Sequence, residues 1–324
     1  MAGVFDPIRS VHCQAIDPGS AWVPDSGIAV DAATKTGGQT VVTPNVIPLA
    51  AGGYRMYYTQ MGNVGEYERA SGHIRSAVSD DGASWRKERG IRVEPHEPDA
   101  SQRVLCPDVV PLPDGRWRMY FEAKSPGCPS VILSATSDDL VRWVPEAGVR
   151  LASDDESYGA PRCLYLSGEA SGASGGLPCR MYAQRYSYPF RPGLEAENHI
   201  ISAISADGLA FHKEPGVRIR QETPRDSYAV QGPEVLRLPD GAYRMYYAAW
   251  QVEPLEARIL TARSRDGLTW VKEPAPCIDV GGSREIVKAS EPCVIDLPDG
   301  RFRMYFEACD RAGQWRILSA TSAE

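Results

Sequence analysis

Five prolines in the 324-residue sequence, Pro44, Pro107, Pro161, Pro233 and Pro292, are flanked by residues able to do acid–base chemistry. Just after them stand Asn45, Asp108, Arg162, Glu234 and Cys293, and just before them Thr43, Cys106, Ala160, Gly232 and Glu291. Crowded carboxylates can have one pKa raised, which suits one to give a proton and another to take it. Asp108 and Glu234 are the leading catalytic pair, with Glu291 close behind. Arg162, between them in chain order, could hold an anionic substrate group or depress a neighbouring carboxylate.

The elements that must position these residues are repeats. The prolines open strand-like runs, "TPNVIPL", "CPDVVPL", "APRCLYL", "GPEVLRL" and "EPCVIDL", and each run is followed by a second containing "RMY", at Arg55, Arg118, Arg180, Arg244 and Arg303. In three copies "PDG" joins the two runs, a strong hairpin signal; the first copy uses "AAGG" and the third a Gly/Ser-rich loop, "SGEASGASGGLP". A third strand follows ("HIRSAVS", "VILSATS", "HIISAIS", "RILTARS", "RILSATS"), then a turn and an aromatic opening a fourth. Four antiparallel strands in about 60 residues is the sequence signature of a propeller blade. The expectation is an all-β, five-bladed β-propeller in one domain, 1–324, with blades at about 40–95, 103–152, 158–220, 230–280 and 288–324. The fifth copy ends before its fourth strand, but "PGSAWVPDSGIAV" (18–30) matches "DLVRWVPEAGVRL" of the second in its Trp and Gly. An N-terminal strand is therefore expected to complete the last blade and remove a free edge. Trp22, Trp85, Trp143 and Trp270 then pack between blades, and the "RMY" arginines serve the architecture.

If each first strand starts at one face of the disc, the variable residues collect there. Besides Asn45 and Arg162, that face gathers Glu122 and Glu307 at second-strand ends, with Arg185 and Trp250 just beyond. His73 and His199 precede third strands, and Tyr158, Gln231 and Lys288 enter from the connecting loops. A concave site with convergent polar groups and aromatic walls takes a small ligand. His73 and His199 lack HxH or HExxH spacing, so they read as structural or substrate-contacting residues, and no metal site is assigned. Cys106 and Cys293, with no base beside either, read as small buried hydrophobes.

Composition narrows the classes further. The chain is 43% hydrophobic with a mean hydropathy of -0.33, has a net charge of -7 and carries no basic stripe, which argues against nucleic acid. Without a signal-like start or a run of about 18 apolar residues, no membrane is expected and a cytoplasmic location is. Eight cysteines without CxxC pairs suggest reduced thiols. No dinucleotide fingerprint or P-loop appears, so no cofactor is expected; an axial ion such as calcium and the oligomeric state are left open.

Phrases such as "SDDGASW", "SRDGLTW" and "PDVVPLPDGRWRMYFEA" resemble the arabinanase, levansucrase and invertase superfamily of five-bladed propellers, and family-43 glycoside hydrolases look nearest. The resemblance covers essentially the whole chain and implies a glycosidase-like activity. It also implies a base Asp before the first-blade proline, a pKa-tuning Asp before the third, and an acid Glu near the fourth. Here those places hold Thr43, Ala160 and Gln231, so the family's set does not carry over. Three functions follow: a glycosidase with a rearranged set built on Asp108, Glu234 and Glu291; a lyase, cyclase or isomerase with Arg162 steering an anionic substrate; or a sugar-binding propeller without turnover.

Overall fold

The computed structural model describes residues 16–32, 39–62, 69–166, 178–189 and 198–323. The N-terminal residues 1–15 and all but Pro178 of the Gly/Ser-rich insertion lie outside them. Two short strands, β1 (Trp22–Pro24) and β2 (Val30–Asp31), come first. Five units follow. The first holds β3 (Thr40–Pro48), β4 (Tyr54–Gly62), β5 (Ser71–Ser79) and β6 (Arg86–Lys87). The second holds β7 (Arg103–Pro111), β8 (Trp117–Lys124), β9 (Val131–Ser137) and β10 (Val144–Pro145), and the third β11 (Glu156–Tyr165), β12 (Cys179–Ser187), β13 (His199–Ser205) and β14 (His212–Lys213). The fourth holds β15 (Ala229–Arg237), β16 (Tyr243–Gln251), β17 (Glu256–Ser264) and β18 (Val271–Lys272), and the last β19 (Ile286–Asp296), β20 (Phe302–Asp310) and β21 (Trp315–Ser322).

Within each unit the strands pair antiparallel in chain order. First strands pack side by side, β3 on β7, β7 on β11, β11 on β15, β15 on β19 and β19 back on β3, so the units form a ring. The last unit takes its outer strand from the other end of the chain: Trp22, Val23 and Pro24 pair with Ser322, Thr321 and Ala320. The molecule is an all-β propeller. Among the described residues no helix is long and apolar enough to cross a membrane, and the seven described cysteines are all free.

The repeated residues hold the seams. Hydrophobic clusters fill the junction between each pair of neighbouring units, with the methionine of every "RMY" fully buried. The tyrosine of each "RMY" reaches across the junction and its hydroxyl donates to a turn carbonyl of the next unit: Tyr57 to Leu140, Tyr120 to Gly208, Tyr182 to Gly267, Tyr246 to Gly19 and Tyr305 to Gly82. The aromatic that opens each outer strand meets that tyrosine edge-on, at 5.5–5.9 Å between ring centres for the pairs Trp22–Tyr246, Trp85–Tyr305, Trp143–Tyr57, Phe211–Tyr120 and Trp270–Tyr182. The "RMY" arginines pair with an acid three residues past the outer-strand aromatic of their own unit, as in Arg55–Glu88 at 3.0 Å, Arg118–Glu146 at 2.7 Å and Arg303–Asp25 at 3.2 Å. Asp25, Trp22 and Gly19 thus supply the last unit with what its own C-terminal end lacks.

Candidate functional site

The site starts from an irregularity in every first strand. Proline has no N–H for the ladder, and a bulge is where a strand accommodates it. The register with the second strand shifts between Val42 and Asn45, Leu105 and Asp108, Gly159 and Arg162, Gln231 and Glu234, and Ser290 and Cys293. The residue before each proline adopts a positive φ: Thr43 54°, Cys106 53°, Ala160 45°, Gly232 58° and Glu291 50°. For a non-glycine residue that conformation costs roughly 1–3 kcal/mol and persists only where the surroundings enforce it. Glu291 is the one charged residue among the five.

The residues after the prolines point into the ring. Asn45 Oδ1 accepts the Val109 N–H at 3.1 Å, Asp108 Oδ2 that of Cys163 at 2.7 Å, Glu234 Oε1 that of Val294 at 3.0 Å, and Cys293 Sγ that of Val46 at 3.2 Å. Each therefore clamps the first strand of the next unit. Arg162 completes the circle differently: Nε donates to Glu234 Oε2 at 3.0 Å, and Nη1 and Nη2 donate to the carbonyls of Pro161 at 2.9 Å and Pro44 at 3.5 Å. Asp108 and Glu234 are both 0% exposed. Burial pushes Asp108 up to about 6 and Glu234 up to about 7, with Arg162 opposing the rise in both.

Four residues expected at the mouth lie deeper than the sequence suggests. Asp108, Glu234, Asn45 and Arg162 do not open onto the mouth; they are sealed in the axis, with their polar atoms spent on neighbouring units. Arg162 is engaged by the Glu234 carboxylate at 3.0 Å. Tyr158 belongs to the core between the second and third units, and its hydroxyl donates to Glu156. For the residues after the prolines the cause is the bulge, which changes what lies on either side of the proline and leaves no trace in an alternating pattern.

On the mouth side of the prolines a different carboxylate set converges. Glu291 lies over Gly232, where a side-chain carbon would come within 2.7 Å of its carboxyl, and its Oε2 has no hydrogen-bond partner. Glu307, opposite Ser290 in the ladder, accepts the Ser290 hydroxyl at 2.5 Å and the Thr43 N–H at 2.9 Å. Glu122, opposite Leu105, lies over Gly159, and its Oε1 also lacks a partner. Burial, then the Glu307 carboxylate, pushes Glu291 up to about 8, with Arg162 opposing and Glu122 adding to the rise. Burial also raises Glu122 and Glu307; Arg103 is the main force holding Glu122 down, and for Glu307 it is the Ser290 hydroxyl. The result favours the protonated form of Glu291 beside two further carboxyl groups.

The remaining expected residues have partners of their own. Gln231 is half-buried opposite Ala248, and His73 and His199 pair in register with Gln60 and Arg185. Arg75 donates to His73 Nε2 at 3.0 Å, and burial followed by Arg75 lowers the His73 pKa. Arg185 donates to Glu156 at 2.9 Å. Lys288 stands with its ammonium 5.6 Å from the Trp250 ring centre and 5.8 Å from that of Trp315. Sequence reasoning missed Trp315, Ser290 and Glu156. Only Trp315 left a signal, as the one tryptophan placed directly before a third strand. Among the described residues no group of three His, Cys, Asp or Glu side chains has the geometry to hold a metal ion.

No family model matches the chain. Two Mycobacterium tuberculosis proteins, "Uncharacterized protein MT1551" and "Uncharacterized protein Rv1502", are 33% and 32% identical to it over 133 residues, 40% of this chain. The match spans 43% of the length of each of these curated relatives. Among solved structures, one named "Glycoside hydrolase" superposes with a TM-score of 0.73 at 16% identity, covering 93% of both chains. A thermostable family-43 glycoside hydrolase gives 0.65 at 15% identity over 88% of this chain and 91% of its own. A GH130 structure, from a family described as mannoside phosphorylases that contains glycoside hydrolases acting on beta-1,2 mannosidic linkages in Candida mannan, gives 0.67 at 13% over 93% of both. At these identities the likeness is one of fold, and the fold is that of the propeller glycoside hydrolases.

Proposed function

We propose that the protein is a glycosidase-like enzyme acting on a sugar substrate at the propeller mouth, with Glu291 as the proton donor. The observation that carries this reading is Glu291 itself: a carboxyl on a strained backbone, 4% exposed, with one unpartnered oxygen and a proton retained to about pH 8. A protonated carboxyl at neutral pH is what protonation of a departing glycosidic oxygen requires. Glu122, with its unpartnered Oε1, takes the second role, receiving the proton of an attacking water or attacking the sugar carbon itself, according to the separation of the two carboxyls in the complex. Glu307, fixed by Ser290 and Thr43, holds a negative charge beside the positive charge that develops on the sugar. This set replaces Asp108 and Glu234, which the axis already employs.

A second reading, sugar binding without turnover, is favoured by the near-complete burial of Glu122, Glu291 and Glu307 in the free protein. The two are separated by turnover on a panel of aryl furanosides, aryl pyranosides and oligosaccharides. For the enzyme, one class is cleaved and both Glu291→Gln and Glu122→Gln lose on the order of 100-fold or more in kcat. Ligand-dependent stabilisation with no cleavage anywhere on the panel selects the binding reading.

A further inference from the structure

Lys288 is the feature of the mouth that the acid–base chemistry leaves unused. Its ammonium lies between the rings of Trp250 and Trp315, 5.6 and 5.8 Å from their centres, and no carboxylate pairs with it among the described residues. The arginines that flank it on the rim are already engaged, Arg258 by Glu256 and Asp279 and Arg316 by Asp310 and Asp31. Lys288 is next but one in β19 to Ser290, whose hydroxyl holds Glu307. At about 3.3 Å per residue that is about 7 Å of strand, close to the span of one sugar ring. Cys309, opposite Lys288 in the ladder, feels both groups: burial raises its thiol pKa, the ammonium lowers it and the Glu307 carboxylate adds to the rise.

A cation fixed by two aromatic faces keeps its charge while losing freedom, and it is prepared for an anion that the ring of glutamates would repel. We propose that Lys288, with Trp250 and Trp315, forms a subsite for a carboxylate on the substrate, so that the sugar bound at the mouth is a uronic acid. A single ammonium, without a second unpaired cation beside it, matches a monoanionic carboxylate in charge, whereas a phosphate monoester calls for several donors. The indole Nε1 of Trp250, buried without a partner, adds one donor in the same place.

The inference rests on the sugar-acting reading, and its test separates the two. kcat/KM is measured for matched aryl uronides and aryl glycosides of the same ring, and binding of the free uronates, neutral sugars and sugar phosphates is followed by calorimetry, for wild type, Lys288→Met and Lys288→Arg. The expected result is a preference for the uronide that falls about tenfold or more in Lys288→Met, through KM, and is largely kept in Lys288→Arg. If uronates bind in a Lys288-dependent way while no glycoside is cleaved, the subsite stands and the catalytic reading falls. If neutral glycosides are cleaved but uronides are not preferred, or if sugar phosphates bind better than uronates, the subsite falls and the catalytic reading is untouched.

Discussion

Glu291 shows how one residue can be both a liability and a tool. Its carboxyl titrates near 4.5 when unfolded and near 8 when folded, because burial and Glu307 disfavour its charge. Between those values the native state binds more protons than the unfolded one, so this group removes stability as pH rises from about 4.5 to about 8. The amide of Glu291→Gln has the shape of the protonated acid and cannot ionise. Thermal unfolding should therefore show a difference of less than about 1 kcal/mol from wild type at pH 5 and a clearly higher Tm for the variant at pH 8, where a rise from 4.5 to about 8 is worth about 4 kcal/mol. Catalysis depends on the same proton: wild-type kcat should fall as pH climbs past 8 and the donor proton is lost. An equal Tm change at both pH values would take the titration of Glu291 out of the account. The sequence displayed the right residue types around the prolines, but ranked Asp108 and Glu234 above Glu291. Residue identity carries no record of which acid will be hydrogen-bonded into the next unit's first strand, as Asp108 and Glu234 are.

At the scale of the element, the bulge with its proline turns a repeated strand into a site. It sends Asn45, Asp108, Glu234 and Cys293 onto the next unit's backbone and leaves Glu291 and its neighbours at the mouth. The prolines were legible as repeats, and the strand order follows from the alternating runs and "PDG" turns. The bulge was not legible, since a two-against-one pairing depends on the partner strand. Two glycines make room beneath the acids. At Gly232 a Cβ would lie 2.7 Å from the Glu291 carboxyl, and at Gly159 2.1 Å from Glu122 Oε2. Gly232 also takes a φ of +58°, which an alanine there would hold at a cost of about 1–2 kcal/mol. Gly232→Ala and Gly159→Ala should each displace one carboxyl while the far-ultraviolet circular dichroism stays that of the wild type. Expected are a Tm loss of a few degrees and a loss of turnover on the order of tenfold or more. Full activity in both variants would show that neither acid needs its present position.

For the molecule as a whole, closure of the ring keeps these five first strands in register around one axis. A gap at any seam would release the clamps, because each unit's polar residue is satisfied by its neighbour's backbone. The last unit is the one made by the chain's two ends: Asp25 pairs with Arg303 inside it, and Trp22 packed on Tyr246 and Gly19 receiving the Tyr246 hydroxyl seal it against the fourth unit. That closure could be read in the sequence because "PGSAWVPDSGIAV" repeats the outer-strand phrase, and its pairing with β21 is what the fold shows. Trp22→Ala removes a large side chain from a packed seam, a change that costs about 3–5 kcal/mol in well-packed cores. The same truncation at Trp85, which meets Tyr305 in the same geometry, removes similar packing but leaves β6 covalently continuous with β5. Trp22→Ala should therefore do something Trp85→Ala does not: free β1 and expose the edge of β21, an unpaired strand able to recruit another chain. Hydrogen exchange is expected to rise in residues 315–322 for Trp22→Ala, with concentration-dependent association in sedimentation, while Trp85→Ala lowers Tm and remains unassociated. Equal protection of β21 in the two variants would mean that the ends are held by something other than the Trp22 seam.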